Sequence, residues 1–223
     1  MKLYGALASP YVARAIMLAR IKGIDLPLEP APGGSTHSPE YLAMSPIGKM
    51  PVLEADGRFL PESEVICEFL EETGGGKPGL PSDPHERATS RLIARIVDLY
   101  VAPQPRKFFQ QMNPATRDQE EVDKAAAELD KAFGFLEFFM GAGPFCVGAE
   151  PTLGDCAAIP YVVLIQKSVF AAFPELPDPT QGDGRLGTWW KAVQSNDICR
   201  ESAEEYAEVV ENFMKAMRER LKG

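Results

Sequence analysis

The chain has 223 residues and a formal net charge of −9 at pH 7, and 45% of its residues are hydrophobic. This length can hold one large domain or two small ones, and the composition is typical of a globular protein. An acidic chain is a poor candidate for nucleic-acid binding, which needs a basic face. No apolar run reaches the ~18 residues of a membrane-spanning helix, so we expect no membrane partner.

The cysteines and histidines exclude the common metal sites. The four cysteines show neither a Cys-x-x-Cys spacing nor another metal-ligand spacing, and the chain has only two histidines. We therefore expect a reduced, cytoplasmic protein that has no structural disulfide and no metal. Cys67 and Cys156 lie in apolar helical segments and are expected to pack in the core.

The N-terminal part begins with a strand, a helix and a second strand. Lys2–Leu7 and Ile24–Glu29 have the composition of short strands. Between them, Ser9 followed by Pro10 is a typical helix start with Ser9 as the N-cap, and Gly23 is a typical helix end. Parallel pairing of the two strands gives a βαβ unit. Tyr4, inside the first strand, is expected to be a core residue.

The next elements complete an α/β layer. A short helix is predicted around Pro39–Ala43, two strands flank the turn at Asp56-Gly57, and a helix is predicted over Ser63–Glu72. This order of elements favours a compact α/β domain over residues 1–75. The Gly- and Pro-rich segment 76–84 is predicted to be a linker.

Residues 85–223 have a helical pattern throughout and are predicted to form a second, all-helical domain. The expected helices are His85–Val101, Thr116–Met140, Thr152–Val169, Arg185–Gln194 and Glu201–Leu221. Thr152 and Asp155 fit a capping box at the start of one of them, which is a folding element.

Two short stretches of the first domain have the chemistry of a binding site. A Pro51 that leads a strand can have a cis peptide bond, which turns the N–H and C=O of Met50 away from the sheet. Glu62 and Ser63 stand at a helix N-terminus, where exposed N–H groups favour an anion such as a carboxylate. Together these stretches predict a site that holds a short peptide by its backbone and its α-carboxylate.

Four segments in order resemble the cytosolic glutathione S-transferase superfamily, and the match covers essentially the whole chain. The segments are Ser9-Pro10-Tyr11 with Arg14, Pro46–Leu53, Glu62-Ser63 with Ile66, and Gly148–Asp155. The first segment is similar to the first-helix motif of the serine-type and cysteine-type classes, and a serine stands at position 9. The resemblance implies an N-terminal thioredoxin-like domain followed by an all-helical domain, and a homodimer.

The resemblance also implies a reaction and a set of site residues. It implies that glutathione is a co-substrate, that its sulfur attacks a small hydrophobic electrophile, and that the Ser9 hydroxyl stabilises the thiolate. The implied glutathione contacts are Ser9, His37, Lys49, Met50, Pro51, Glu62 and Ser63. The implied second-substrate pocket contains Tyr11, Asp98, Leu99 and Tyr100.

Several alternatives remain open on the sequence. From the residues alone Ser9 is a helix cap, and Arg14 is expected to form a structural ion pair. Position 9 is not a cysteine, which argues against disulfide exchange because that chemistry needs a protein thiolate. Another glutathione-dependent enzyme (an isomerase, a dehalogenase or a peroxidase) and a non-catalytic interaction protein are the alternative functions.

Overall fold

The structure is a computed structural model that describes residues 1–220 and the side chains of residues 1–219. Leu221, at the end of the last predicted helix, lies outside the described residues. The chain divides into two compact units, Met1–Leu80 and Pro81–Gly223. The boundary between the two units lies within the predicted linker segment, 76–84.

The first unit is a four-stranded sheet with three helices. The strands are β1 (Lys2–Tyr4), β2 (Leu28–Glu29), β3 (Val52–Ala55) and β4 (Arg58–Pro61), in the order β2-β1-β3-β4. The helices are α1 (Pro10–Lys22), α2 (Pro39–Met44) and α3 (Ser63–Thr73). β1 and β2 are parallel and the other pairs are antiparallel, so the predicted βαβ unit is confirmed.

The first two strands are shorter than predicted. After β1 the chain turns, because the N–H of Ser9 bonds to the carbonyl of Ala6 at 3.0 Å. Within the second predicted strand, Pro27 has no N–H to donate and only accepts a bond from Leu3, at 2.8 Å. The helix end at Gly23 is as predicted, with φ 72° in the left-handed region.

Tyr4 is not the core residue that the sequence predicted. Leu3 is buried opposite Leu53, whereas Tyr4 points to the other face of β1 and is half-buried. Its hydroxyl donates to Glu54 Oε2 at 2.9 Å. This hydrogen bond, with a smaller effect from Lys2, lowers the pKa of the Glu54 carboxyl. Tyr4 is therefore a partly exposed residue of an inner strand, and its hydroxyl already has a partner.

The described part of the second unit contains nine helical segments. Two of them are π-helical turns and one is a 3₁₀ turn. They are α4 (Pro84–Ile96), a π-helical turn (Val97–Val101), α5 (Gln104–Phe109), α6 (Gln119–Phe139), α7 (Leu153–Ile165), a second π-helical turn (Gln166–Phe170), a 3₁₀ turn (Pro179–Gln181), α8 (Arg185–Ser195) and α9 (Asp197–Arg220). Two predicted α-helices, His85–Val101 and Thr152–Val169, thus change to π-helical geometry in their last turn.

α7 is the central helix of this unit and packs against α4 and α9. With the π-helical turn that follows it, the segment Leu153–Phe170 is long and apolar enough to cross a membrane by length and composition. Asp155, Gln166 and Lys167 interrupt this segment, so it is not an unbroken apolar run of membrane-spanning length. Because 78% of the segment is buried inside the protein, its apolar character is explained by its place in the core.

The four cysteines are buried thiols, as predicted for Cys67 and Cys156, which are both 0% exposed. Cys146 lies beside the buried carboxylate of Asp155, and the Cys146 N–H donates to Asp155 Oδ1 at 2.8 Å. Burial first, and then the Asp155 charge, raise the pKa of the Cys146 thiol well above its usual range. The Cys146 thiol therefore stays protonated, and all four thiols are enclosed.

Asp155 connects three parts of the helical unit. Its Oδ2 accepts the N–H of Thr152 at 2.7 Å, which forms the predicted capping box of α7. Its Oδ1 accepts the indole N–H of Trp189 on α8 at 2.8 Å, in addition to the bond from Cys146. Ser90 on α4 joins the network through Thr152 Oγ1, at 3.0 Å. A fully buried carboxylate thus holds the starts of α7 and α8 and the preceding loop together.

We expect Asp155→Ala to lower the free energy of unfolding of the helical unit by about 3–5 kcal/mol, because it leaves several buried donors without an acceptor. The chain's two tryptophans, Trp189 and Trp190, both lie on α8. Urea unfolding followed by tryptophan fluorescence therefore reports on this unit. Asp183→Ala is the matched control, because the Asp183 side chain is exposed and its loss should change stability by less than about 0.5 kcal/mol. Equal transitions for both variants would contradict the role of Asp155.

Candidate functional site

The N-terminus of α1 presents the Ser9 hydroxyl. Ser9 occupies the N-cap position with φ −85° and ψ 124°, and Pro10 is the first helical residue, as predicted. The Ser9 side chain, however, forms no capping hydrogen bond, and the first turn of α1 contains no acidic residue. The partial positive charge of the helix end is therefore not neutralised by a neighbouring carboxylate. A half-buried hydroxyl at such a helix end can donate to an anion.

An ion pair joins α1 to α3. Arg14 Nη1 lies 3.1 Å from Glu64 Oε2, and the Arg14 side chain is only 1% exposed. The predicted structural ion pair is thus confirmed. Tyr11, which the family resemblance assigns to the second-substrate pocket, is half-buried, and the Arg14 guanidinium lies 5.6 Å from the centre of its ring. Arg14 is therefore a link between the two helices that start at Pro10 and Ser63.

The peptide bond between Met50 and Pro51 is cis, as predicted. Pro51 is buried, and Met50 lies just before β3. Among residues 1–220, Met50 takes part in none of the backbone–backbone hydrogen bonds that join turns and loops. Its N–H and C=O groups are therefore available to a ligand.

His37 and Lys49 lie in the two loops that flank α2, and Lys49 directly precedes Met50. Gly48 has φ 65°, and a Cβ atom at this position would lie 3.8 Å from His37 Nε2. Both Lys49 and His37 are exposed, and His37 Nδ1 is 3.1 Å from Thr36 Oγ1. The structure thus brings His37 close to the loop that carries Lys49 and Met50.

Glu62 and Ser63 begin α3 in an unusual backbone conformation. Glu62 has φ 71° and ψ 112° and stands at the N-cap position without a side-chain capping bond. A positive φ in a residue other than glycine costs about 1–3 kcal/mol and is found preferentially at functional sites. Ser63 is the first helical residue and is 5% exposed. The first N–H groups of α3 have no partner within the helix and face this segment.

The other predicted pocket residues belong to the second unit. Asp98, Leu99 and Tyr100 lie in the π-helical turn Val97–Val101. Leu99 and Tyr100 are both 46% exposed, whereas Asp98 is half-buried. The Tyr100 ring packs edge-to-face on Phe135, with 5.2 Å between the ring centres. π-helical turns are frequent at functional sites, so this turn is a suitable place for a pocket wall.

Sequence reasoning missed one residue beside this site, Tyr41. Its hydroxyl donates to the carbonyl oxygen of Lys49 at 2.9 Å. The predicted short helix around Pro39–Ala43 gave a signal for a packed aromatic residue, but none for the hydrogen bond. No group of three His, Cys, Asp or Glu side chains that could hold a metal occurs within the described part of the chain.

Comparison with known proteins identifies the family. Residues 3–78 match the family model of the glutathione S-transferase N-terminal domain. A glutathione S-transferase of Pseudomonas putida is 31% identical over 175 residues, which are 77% of this chain and 79% of the relative. The chain therefore belongs to the glutathione S-transferase family. The serine-type class stays a prediction.

Solved structures agree with this fold. The Tau class glutathione S-transferase of mango, Mangifera indica, has a TM-score of 0.79 at 24% identity, with 96% of this chain and 97% of that chain covered. A maleylacetoacetate isomerase of Methylobacterium extorquens AM1, solved with malonate and GSH, has a TM-score of 0.71 at 26% identity, with 91% and 96% covered. The chain thus has the expected fold, a thioredoxin-like domain followed by an all-helical domain.

The backbone of Glu62 gives a direct test of strain at the site. Glu62→Gly is expected to stabilise the first unit by about 1 kcal/mol. Glycine tolerates φ 71° and so removes the backbone strain. The greater chain entropy of glycine in the unfolded state cancels only part of this stabilisation. Glu62→Ala keeps a Cβ atom and should give no such gain. Amide hydrogen exchange of peptides that span β3 and β4 measures the difference. A glycine variant less stable than the alanine variant would show that the conformation is not strained.

Proposed function

We propose that the protein is a glutathione transferase that joins the sulfur of glutathione to a small hydrophobic electrophile. The observation that carries this proposal is the Ser9 hydroxyl, which stands at a helix N-terminus and forms no capping bond there. A serine that only capped the helix would use its oxygen on the first-turn N–H groups. Ser9 instead keeps its hydroxyl for a ligand.

The chemistry required of Ser9 is the stabilisation of a thiolate. A free thiol has a pKa of about 8.5, so most of it is protonated at neutral pH, and the thiolate is the nucleophile. A hydroxyl that donates to the sulfur and the positive end of α1 both favour the anion. A pKa lower by about two units requires only ~2.7 kcal/mol. The thiol proton passes to solvent, and the sulfur electron pair forms the new bond to carbon.

The rest of glutathione is assigned to the loops around β3 and β4. The N–H and C=O of Met50 would bind the cysteinyl part, next to the cis Pro51. Ser63 and Glu62 would bind the γ-glutamyl end, where the N–H groups of α3 receive its carboxylate. Lys49 and His37 would receive the glycyl carboxylate. This assignment gives each charged end of the peptide a partner of opposite charge.

The family resemblance names Tyr11 in the first unit and Asp98, Leu99 and Tyr100 in the second unit as candidate contacts for the electrophile, and each of them stays a prediction. Exposed apolar surface on Leu99 and Tyr100 suits a small hydrophobic molecule. Holding the electrophile beside a preformed thiolate lowers the barrier by bringing the two reactants together. The reaction ends as a substitution, in which a leaving group departs with the displaced electron pair, or as an addition to a double bond.

A glutathione-dependent isomerase is the second candidate. The similarity to a maleylacetoacetate isomerase solved with GSH favours it. In an isomerase the thiolate would add to the substrate and leave again, so that glutathione is regenerated. In a transferase, glutathione is consumed in proportion to the product. Counting free thiols during turnover therefore separates these two functions.

Ser9→Ala tests the proposed mechanism. We expect the pKa of bound glutathione to rise by about 1–2 units, because a hydrogen bond to a charged group contributes about 1.5–3 kcal/mol. We expect kcat/KM at neutral pH to fall about 10- to 100-fold for the same reason. Thiolate absorbance in the ultraviolet, followed against pH, measures the pKa directly.

Ser9→Thr is the matched control for this experiment, because it keeps a hydroxyl at the N-cap and should retain most of the thiolate stabilisation. An unchanged thiol pKa in the alanine variant would remove Ser9 from the mechanism. If the wild-type protein did not bind glutathione at all, both enzymatic functions would be wrong.

A further inference from the structure

Tyr41 is a fully buried tyrosine near the proposed glutathione site. It lies on α2, is 0% exposed, and its hydroxyl donates to the Lys49 carbonyl at 2.9 Å. The helix that carries it is fixed at its start, where Ser38 Oγ accepts the Tyr41 N–H at 3.1 Å and donates to the Pro32 carbonyl at 2.6 Å. The tyrosine is therefore anchored at both its backbone and its hydroxyl.

The loop that receives this hydroxyl is packed closely on α2. The Gly48 N–H bonds to the Ser45 carbonyl at 3.1 Å, which closes a turn with a positive φ at Gly48. A Cβ atom at Gly48 would lie only 3.4 Å from both Leu42 Cδ2 and the Thr36 carbonyl. With the loop in this position, the Lys49 carbonyl lies within hydrogen-bond distance of the Tyr41 hydroxyl.

The hydrogen bond to Lys49 also fixes the direction of the Met50 N–H. The Lys49 carbonyl and the Met50 N–H belong to one planar peptide group. That peptide is trans, unlike the next one, so its C=O and N–H point in opposite directions. Because Tyr41 holds the carbonyl inward, the N–H of Met50 points outward. The hydroxyl stays a donor, since burial raises the pKa of Tyr41.

We propose that Tyr41 is a positioning residue for glutathione, and that it acts by directing the Met50 N–H toward the cysteinyl carbonyl of the peptide. This inference rests on the proposed function, in which Met50 binds that part of glutathione. Tyr41 itself does not touch the ligand. It selects ligands that present a backbone carbonyl at this point, which is the chemistry of a peptide thiol and not of a simple thiol.

Tyr41→Phe removes the hydroxyl and keeps the ring. We expect its dissociation constant for glutathione, measured by calorimetry, to rise about fivefold, as for the loss of one hydrogen bond. At saturating glutathione, kcat should stay within about twofold, because Ser9 lies on a different element. Tyr206→Phe is the matched control, since Tyr206 is also buried and its hydroxyl has no hydrogen-bond partner.

A cycle that pairs the protein variant with a changed ligand separates positioning from a general structural effect. The ligand is a glutathione analogue in which an (E)-alkene replaces the peptide bond between cysteine and glycine, so that the cysteinyl carbonyl is deleted while the Lys49 carbonyl of the protein stays an amide. If Tyr41 acts by directing the Met50 N–H to this carbonyl, Tyr41→Phe should weaken binding of the analogue by less than about twofold. A fivefold loss for both glutathione and the analogue would show that Tyr41 acts in another way.

A failure of the proposed function can be distinguished from a failure of the proposed role of Tyr41. A wild-type protein that does not bind glutathione would overturn the proposed function and this inference together. A wild-type protein that binds glutathione, with an unchanged dissociation constant in a folded Tyr41→Phe variant, would overturn only the role of Tyr41. Thermal unfolding of both tyrosine variants confirms that they are folded before binding is compared.

Discussion

The ion pair between Arg14 and Glu64 is the constraint on which the first unit depends. It joins the second turn of α1 to the first turn of α3, and its guanidinium is almost fully enclosed. Separating such a pair leaves a buried charge, which costs several kcal/mol. The two helices therefore cannot slide past one another. Ser9 and Glu62 directly precede the first turns of these helices. Their positions relative to each other are therefore fixed as well.

The structural predictions that depend on neighbouring residues in the sequence agree with the structure. The helix start at Ser9-Pro10, the left-handed end at Gly23 and the capping box of α7 depend on residues a few positions apart, and the structure has them as predicted. The cis bond before Pro51 was also predicted, although from the family resemblance. Apart from the cis bond, each of these features follows from the steric or hydrogen-bonding properties of one or two residues.

The remaining features depend on tertiary packing. Tyr4 was expected in the core, but its hydroxyl reaches Glu54, which is 50 residues away in the chain. The bond from Tyr41 to Lys49 needs the turn at Gly48 to fold back on α2. The positive φ of Glu62 is imposed by the strand before it and the helix after it. No periodicity or spacing predicts such contacts.

The enclosure of every cysteine has a practical consequence for work on this protein. Alkylating reagents, dyes and spin labels react with accessible thiolates. The natural cysteines are buried, so they need not be replaced before labelling. A single cysteine added on the surface would be the one rapidly modified position. Fluorescent or paramagnetic probes can therefore be attached to the wild-type background, and their signals would come from one chosen place.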